Sequence, residues 1–174
     1  MTEIDPTELG AAEHVLGAQE CAAVAARAAA LVDRESLDRA GDGTTTMLWR
    51  NAVCEAWLNT WWEARDSGFH DHDGSCGGVF VLEGTVRGES LVVDGSRRVV
   101  DYDAGSSFCF EGDAIHRVDH LRGAVTIHVY SPPLRSIGHY ELIDGELRRT
   151  PCSPDEISAA SSHLTAALGA RQGA

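Results

Sequence analysis

The sequence predicts a mainly β protein, a small barrel or sandwich of antiparallel strands with helices at both ends. Two observations predict this fold class. Between residues 44 and 150, short runs of β-branched and aromatic residues are separated by glycine and Asp-Gly turns. The flanking segments instead carry helix-start signals and alanine-rich stretches. With 174 residues, 43% hydrophobic and 24% charged, the chain has the size and composition of a single globular domain.

The predicted domain, residues 1–174, has helical segments on either side of its β core. In the N-terminal region, 1–43, the Asp-Pro-Thr-Glu motif at 5–8 starts a short helix, with Asp as the N-cap and Pro at the first helical position. A longer, alanine-rich helix is expected from about Ala18 to Arg39. The Ser-Pro-Asp-Glu capping box after Cys152 starts a C-terminal helix over 153–170.

Within the β core, 44–150, the spacing of apolar residues predicts strands and hairpins. Asp-Gly pairs at 94–95 and 144–145 each lie between two strand-like runs, which is a strong hairpin signal. Earlier in the core, Trp57, Asn59 and Trp61 alternate along one run. Because alternate side chains of a strand share a face, these three side chains are expected to lie together.

Charge and cysteine content exclude several classes of function. The net charge is −13, and all 14 basic residues are arginines, so binding to nucleic-acid phosphates or to anionic membrane surfaces is not expected. No run of apolar residues is long enough to span a bilayer, and the acidic N-terminus is unlike a secretory signal, so a cytoplasmic location is expected. The five cysteines show no CxxC spacing and predict neither a disulfide framework nor a structural zinc site.

A pair of histidines organises the middle of the chain. His70 and His72 are two residues apart, so both imidazoles leave the same face of one strand and can bind a single metal ion. This spacing alone is weak, because surface histidines often have it. A turn-rich segment and a buried apolar strand follow the pair, and a third histidine, His116, follows the glycine turn at 111–113. Together these features indicate a metal site.

The framing of these histidines resembles the two metal-binding motifs of the cupins, which are small jelly-roll barrels. In the first cupin motif, a carboxylate and then a glycine follow the HxH pair. Gly84 stands at the glycine position, but Gly77 stands at the carboxylate position. The resemblance therefore implies a single cupin (jelly-roll) β-barrel with N-terminal helices and a C-terminal helix, and a three-histidine site without a carboxylate.

The sequence is also similar to the cysteine dioxygenase family of thiol dioxygenases. The similarity covers roughly Leu48 to His139, and its most specific part is the Ile-His-Val-Tyr-Ser-Pro-Pro-Leu run at 127–134. The His-Asp-His motif, Gly77 and the His-Arg-Val motif that begins at His116 also match the family.

This resemblance implies that His70, His72 and His116 hold a non-haem Fe(II) ion. L-Cysteine and O₂ fill the open positions in that family, and the thiolate sulfur is oxidised to a sulfinate. Imidazole is a suitable ligand for iron, and a neutral three-histidine site leaves the ion its full positive charge to bind a thiolate and an amine.

Thr126, His128 and Tyr130 alternate on one predicted strand, so their side chains share a face and can form a hydroxyl–imidazole–phenol relay. The family resemblance implies that Tyr130 is a catalytic residue that lies near the substrate, and that His128 orients it. A purely structural hydrogen bond is the alternative, because a buried phenol needs a partner in any protein.

Arg50 is the candidate for binding the substrate carboxylate, because the family resemblance implies a carboxylate-binding arginine near the start of the strand region. A guanidinium group matches a carboxylate with two parallel hydrogen bonds. Arg65 and Arg117 are the fallback candidates, although Arg117 is expected to point away from the metal.

Two departures from the family pattern bear on chemistry. Mammalian members carry a cysteine at the position of Gly77 that is cross-linked to the tyrosine. Here Cys76 is one residue away, so its side chain is expected to face away from Tyr130 and no cross-link is predicted. His120 stands where the family has an asparagine four residues after the last ligand, and two outcomes stay open: the replacement is neutral, or it changes the surroundings of the site.

Several functional readings remain open from the sequence. The first is oxidation of L-cysteine to cysteine sulfinate, which Arg50 favours over a 3-mercaptopropionate-type reaction. A second is a cysteine-oxidising cupin of secondary metabolism with another product, such as a sulfonamide. A non-catalytic cupin sensor and a zinc or nickel hydrolase or isomerase are further alternatives, since zinc also accepts three histidines. The partners expected are therefore a small thiol and O₂, with the protein a monomer or a homodimer.

Overall fold

The computed structural model describes residues 4–11, 13–91, 97–143 and 146–152. One α-helix, α1 (Ala18–Ala29), and a 3₁₀ turn, Arg34–Ser36, precede the strands. The described strands are, in chain order, β1 (Gly43–Arg50), β2 (Glu55–Trp61), β3 (Arg65–Asp66), β4 (His70–Asp71), β5 (Cys76–Glu83), β6 (Thr85–Leu91), β7 (Arg97–Asp103), β8 (Ser107–Phe110), β9 (His116–His120), β10 (Ala124–Ser131), β11 (Ile137–Ile143) and β12 (Glu146–Cys152).

The strands form two antiparallel sheets. The first has the order β1-β2-β10-β5-β8, and the second has the order β12-β11-β4-β9-β6-β7, with β3 paired to β9. This is a jelly-roll sandwich, as the sequence predicts, but no strand pairing among the described residues closes the two sheets into a barrel. The chain passes from one sheet to the other several times, and each sheet keeps its own edge strands, β1 and β8 in the first and β12 and β7 in the second.

Gly84 makes one of these passages, between β5 of the first sheet and β6 of the second. Its φ is 72°, a conformation that favours glycine, and a Cβ at this position would lie 2.9 Å from the Cα of Ala124. The close approach of the β10 backbone therefore requires a glycine here. This is the physical reason for the glycine that the sequence comparison with cupins singled out.

Helix α1 covers the outer face of the first sheet. Its buried face is made of Cys21, Val24 and small alanines, and it packs directly on β5: a Cβ at Gly78 would lie 2.0 Å from the backbone nitrogen of Ala22. Side chains on alternate positions of β10, such as Ile127, complete this core. The alternation of β10 thus directs its odd-numbered residues to the helix and its even-numbered residues between the two sheets.

The predicted N-terminal helices are only partly correct. Residues 6–10 form hydrogen-bonded turns and no helix, with Asp5 Oδ1 accepting from the backbone nitrogen of Thr7 at 2.8 Å. The second helix ends at Ala29, about ten residues before the predicted end at Arg39. It ends early because Asp33 adopts an extended backbone and caps the separate 3₁₀ turn by accepting from the nitrogen of Glu35 at 3.0 Å.

Both predicted hairpins have paired strands, since β6 pairs with β7 and β11 pairs with β12. Their Asp-Gly turns at 94–95 and 144–145, and the predicted C-terminal helix at 153–170, lie outside the described residues. Among the helices that the structure does describe, none combines the length and apolar character needed to cross a membrane.

Candidate metal centre

The structure brings the three predicted histidines together between the sheets. His70 lies on β4, His72 lies just after it, and His116 begins β9 as the register partner of His70. Each ring offers one nitrogen, and these three nitrogens all lie within 4.8 Å of one another. All three residues are buried. The segment 70–72 therefore delivers two ligands and β9 the third, although only His70 of the predicted strand pair lies on a strand.

The electrostatics of the cluster favour metal binding over protonation. Burial lowers the pKa of His70 to about 4 and holds the pKa of His72 and His116 well below the ordinary histidine value. The rings are therefore neutral at pH 7 and keep a lone pair for a cation. His70 Nδ1 lies 3.0 Å from the carbonyl of Gly68, which can only accept, so Nδ1 carries the proton and Nε2 is free.

These observations fit a first-row transition metal. Three neutral imidazole nitrogens are ligands that suit iron and zinc alike, and a three-residue set leaves coordination positions open for a substrate. The Nδ1 of His72 is buried and has no hydrogen-bond partner in the described structure, so the protein itself does not satisfy every polar atom of the cluster. The donor set thus fits the metal that the sequence predicts, without selecting iron over zinc.

The ring of Phe110 occupies the side-chain space of Gly77, the residue at the position of the carboxylate in the first cupin motif. Its ring centroid lies 4.6 Å from that of His72 and 4.3 Å from that of His116. A Cβ on Gly77 would lie 2.3 Å from this ring. Gly77 is therefore a consequence of packing, and neither a carboxylate ligand nor a cross-linking cysteine fits there while Phe110 keeps this place. Sequence reasoning identified the glycine but missed the phenylalanine that explains it.

Cys76 lies on the opposite face of β5, as predicted. Its Sγ contacts the carbonyl oxygens of Leu16 (3.2 Å) and Ser131 (3.3 Å), on the side of the sheet that packs against the N-terminal segment. Because the cavity face of β5 is the other one, the thiol is not directed at Tyr130.

The predicted relay is present as a chain of hydrogen bonds on β10. Thr126 Oγ1 lies 3.0 Å from His128 Nε2, and His128 Nδ1 lies 3.0 Å from the hydroxyl of Tyr130. Burial lowers the pKa of His128 to about 3 and raises the pKa of Tyr130, so the imidazole is neutral and the phenol protonated. The ring centroid of Tyr130 is 5.0 Å from that of His72, which places the phenol beside the histidine cluster.

A cavity of about 150 Å³ adjoins the three histidines and the relay. The predicted face of β2, made of Trp57, Asn59 and Trp61, lines it. His120, whose role the sequence left open, also lines it, with its ring centroid 4.8 Å from that of Trp61. Three buried polar atoms here have no partner in the described structure: Asn59 Oδ1, Trp61 Nε1 and His120 Nε2. This part of the cavity wall is thus polar but uncharged, since burial holds the pKa of His120 well below the ordinary value.

Glu55 is a cavity residue that sequence reasoning missed. It is fully buried, lines the cavity, and accepts a hydrogen bond from Trp57 Nε1 at 2.9 Å. Burial raises the pKa of this carboxyl. The signal was available, because Glu55 lies one strand period before Trp57 and two before Asn59, and so shares their face.

Arg50, the candidate for the substrate carboxylate, is not among the residues that line the cavity. Its side chain is 42% exposed, with Nη1 3.2 Å from Glu55 Oε2 and Nη2 donating to the carbonyl of Leu134 at 3.2 Å. Of the fallback arginines, Arg65 lies over the ring of Trp61 at 5.0 Å, and Arg117 binds acidic side chains. No arginine therefore lines the described cavity wall.

The segment 70–73, called here the metal loop, is held through Asp71, whose carboxylate binds Tyr140 and Arg149. Asp71 Oδ2 accepts from the hydroxyl of Tyr140 at 2.6 Å and from Arg149 Nε at 2.7 Å, and Oδ1 accepts from Arg149 Nη2 at 2.8 Å. These bonds hold the pKa of Asp71 well below its usual value. Gly138 is needed for this contact, because a Cβ there would overlap the Arg149 guanidinium.

Comparisons with known proteins agree with this architecture. A family model described as cysteine dioxygenase type I matches residues 18–142, well over half of the chain. A comparison with curated proteins gives no match. A solved structure from Bacillus halodurans is 14% identical, with 70% of this chain and 86% of its own covered and a TM-score of 0.50. An RmlC-like cupin from Shewanella frigidimarina NCIMB 400 is 23% identical, with 58% and 88% covered and a TM-score of 0.45. At these identities the Bacillus halodurans structure supports the fold alone.

Proposed function

Because the chain belongs to the cysteine dioxygenase type I family, we propose that it is a non-haem Fe(II) thiol dioxygenase. Its most favoured substrate is L-cysteine, which the enzyme would oxidise to cysteine sulfinate. In this reaction both atoms of O₂ are joined to one sulfur, so that R–S⁻ becomes R–SO₂⁻. Sulfur loses four electrons and O₂ gains four, and no other reductant is needed.

One observation supports the proposal most: three neutral, buried histidines converge within 4.8 Å beside a cavity that Tyr130 and His128 also line, and Thr126 is hydrogen-bonded to His128. A metal centre alone fits many cupin functions. A protonated phenol directed at the same space by a fixed imidazole adds a proton donor next to the reacting centre, which a metal-binding sensor does not need.

Each group has a defined part in this proposal. His70, His72 and His116 would hold the ion. When bound, ferrous iron supplies open coordination positions for a thiolate and the redox chemistry that joins sulfur to O₂. Tyr130 donates a hydrogen bond to the reacting atoms, which stabilises negative charge that develops there. For this the neutral His128 donates from Nδ1 to the Tyr130 oxygen, which leaves the phenol proton for the reacting atoms, and its Nε2 accepts from the hydroxyl of Thr126.

The protein would contribute mainly positioning and exclusion of water. Phe110, Trp57 and Trp61 give the cavity apolar walls, which strengthen every polar interaction inside it. The role of Arg50 in binding the substrate carboxylate stays a prediction, and its ion pair with Glu55 means that the guanidinium would have to leave a partner to perform it. The cytoplasmic location also stays a prediction.

The experiment is oxygen uptake by the Fe(II)-loaded protein, coupled to loss of free thiol and to product identification by mass. L-Cysteine, cysteamine and 3-mercaptopropionate are compared side by side. We expect a thiol-dependent uptake of one O₂ per thiol lost and a product heavier by two oxygen atoms. A product other than a sulfinate would support the alternative of a specialised cysteine-oxidising cupin. No uptake with any thiol by protein that holds iron would contradict the proposal and favour a zinc or nickel enzyme or a sensor.

A further inference from the structure

Three polar residues of the cavity wall have no part in the proposed chemistry. The atoms Asn59 Oδ1, Trp61 Nε1 and His120 Nε2 are buried and have no hydrogen-bond partner in the described part of the chain. The three residues, called here the distal group, all line the cavity, with exposed fractions of only 7%, 9% and 6%. Native proteins rarely leave buried polar atoms unpaired, so three of them on one wall indicate a partner that the chain itself does not supply.

The distal group is a single site, although its members come from both sheets. Asn59 and Trp61 are two residues apart on β2 of the first sheet, so their side chains share a face. His120 ends β9 of the second sheet, and its ring centroid lies 4.8 Å from that of Trp61. The two sheets therefore meet here across the cavity, and one bound group can contact all three side chains.

This site lies at the other end of the cavity from the three histidines. His120 follows His116 by four residues on β9, which at about 3.3 Å per residue separates their Cα atoms by roughly 13 Å. On the facing sheet, Asn59 is the register partner of Thr126, four residues from Tyr130. The cavity volume of about 150 Å³ is well above the ~10–15 Å³ that one water molecule needs. A molecule bound at the histidines therefore has room to extend to the distal group.

The polar atoms of the distal group match an uncharged ligand. The indole nitrogen of Trp61 can only donate, whereas the Asn59 oxygen can only accept. A neutral amide offers the complement of both, a carbonyl oxygen and an N–H. Arg65 lies over the Trp61 ring at 5.0 Å but does not line the cavity, so its charge disfavours a cationic group without binding an anionic one directly.

We propose that the distal group binds the amide tail of a thiol that is longer than L-cysteine. The inference rests on the proposed function, because it takes the sulfur to lie at the three histidines. L-Cysteine carries its charged groups within three carbons of sulfur and therefore stays at the histidine end. The distal group thus extends the substrate range to longer thiols with an uncharged, hydrogen-bonding tail.

Three thiols of equal size give the first test: 5-mercaptopentanamide, 5-mercaptopentanoate and 5-methylhexane-1-thiol. Their binding to the Fe(II) protein is measured by calorimetry without oxygen, together with that of the short mercaptoacetamide. We expect the long amide to bind about tenfold more tightly than each of the other three, because only its tail pairs with both a donor and an acceptor of the wall. Equal binding of the hydrocarbon thiol or tighter binding of the carboxylate would overturn the inference. A long amide that binds no better than mercaptoacetamide would do the same and assign the distal group to water alone.

Neighbouring tryptophans provide a variant and its matched control. Trp61→Phe keeps an aromatic ring but removes the indole N–H, so the preference for the amide over the hydrocarbon thiol should fall about threefold to tenfold. Trp62→Phe is the control, because Trp62 Nε1 donates to the carbonyl of Asp38 at 2.8 Å and does not line the cavity. The preference should be unchanged there. An unchanged preference in folded Trp61→Phe would overturn the inference, and the wild-type series decides alone if this variant does not fold.

A third measurement needs neither metal nor thiol. Butyramide, the tail alone, is added to metal-free protein labelled with ¹⁵N, and the indole N–H resonance of Trp61 is followed, with that of Trp62 as the reference. We expect the Trp61 resonance to shift and the Trp62 resonance to stay, and the absence of a Trp61 shift would contradict an amide site.

Oxygen uptake with the same thiols separates this inference from the proposed function. A Trp61-dependent preference for the amide without uptake from any thiol would support the distal site and contradict the dioxygenase. Uptake with L-cysteine but no preference for the amide would support the dioxygenase and contradict the distal site.

Discussion

Tyr130 shows how a single side chain acquires its chemistry from its surroundings. Burial raises its pKa, and its hydroxyl lies 3.0 Å from His128 Nδ1, so the group is a protonated phenol in one fixed orientation. The alternation of β10 was sufficient to predict this chain of hydrogen bonds, because it depends on positions within one strand. The environment that makes it useful, a ring centroid 5.0 Å away on His72, depends on the packing of two sheets.

Tyr130→Phe should therefore keep the fold and the metal but lose most activity. We expect kcat to fall by about tenfold to a thousandfold, because one hydrogen-bond donor to the reacting atoms is removed. The measurement is steady-state oxygen uptake normalised to iron content. Tyr102→Phe is the control, since Tyr102 packs against Phe108 outside the cavity lining. Equal kcat values in the two variants would assign the Tyr130 hydroxyl a structural role.

Gly77 was correctly singled out from the sequence, but its reason was not visible there. The ring that occupies its side-chain space belongs to Phe110, on a different strand, and no local pattern predicts which aromatic residue comes closest.

Glu55 is the opposite case, because its face could have been predicted from the positions of Trp57 and Asn59. It was missed because a lone acidic residue next to a strand looks like a surface residue.

Gly77→Cys should destabilise the protein without creating a cross-link to Tyr130. A Cβ there would lie 2.3 Å from the Phe110 ring, so the ring must move, at a cost of about 1–3 kcal/mol in free energy of unfolding. Denaturant unfolding and the mass of the intact protein measure the two effects. The double variant Gly77→Cys/Phe110→Ala is the control, because it removes the overlap with the Phe110 ring. Equal stability of the Gly77→Cys variant and the wild type would contradict this account of Gly77.

At the scale of elements, the metal loop is held by a strand outside the matched family region. The match ends at residue 142, whereas Arg149 lies on β12. The Arg149 side chain donates three hydrogen bonds to the side chains of Asp71 and Asp73 in the loop. The hairpin signal predicted β12, but it could not predict this contact, because the partner is about eighty residues earlier in the chain.

Arg149→Met should loosen the loop that carries His70 and His72. We expect the affinity for the metal to fall by about tenfold, because residues that support ligand segments typically contribute this much. Competition with a chelator measures the affinity directly. Arg97→Met is the control, since Arg97 also pairs with an acidic residue but on the β6–β7 hairpin. An unchanged metal affinity in Arg149→Met would show that the loop holds its shape without this anchor.

On the scale of the whole molecule, the jelly roll follows from patterns that the sequence contains. The alternation of apolar residues, the glycine turns and the two hairpin signals predicted the antiparallel strands. The residues at 127–134 indicated the family to which the chain belongs. The open edges of the two sheets were not predictable, because closure depends on pairings between distant strands. The extent of the N-terminal helices was also overestimated, since alanine content indicates helix but does not show where tertiary contacts end it.

A cluster of buried neutral histidines makes stability depend on pH. The pKa of His70 is about 4 and that of His128 about 3 in the folded protein, against about 6.5 in an unfolded chain. A lowered folded-state pKa gives stability that is complete above pH 6.5 and is lost as the pH falls toward the folded value. Each such group contributes up to about 1.4 kcal/mol per pH unit in this window.

The metal-free protein should therefore lose at least about 2 kcal/mol of its free energy of unfolding between pH 7.5 and pH 5. Urea unfolding at the two pH values measures this loss. His120→Asn removes one buried histidine that is not a predicted ligand, and it should reduce the slope. Equal stability at both pH values would mean that these histidines are not held neutral by the fold.

The most direct test of the central claim is to follow the oxygen atoms. The Fe(II)-loaded protein is given L-cysteine or cysteamine under ¹⁸O₂, and the product is analysed by mass. A thiol dioxygenase centred on His70, His72 and His116 predicts a sulfinate with both oxygen atoms labelled, and no such product from His116→Ala protein. A disulfide alone, or a sulfinate whose oxygen atoms come from water, would contradict the account.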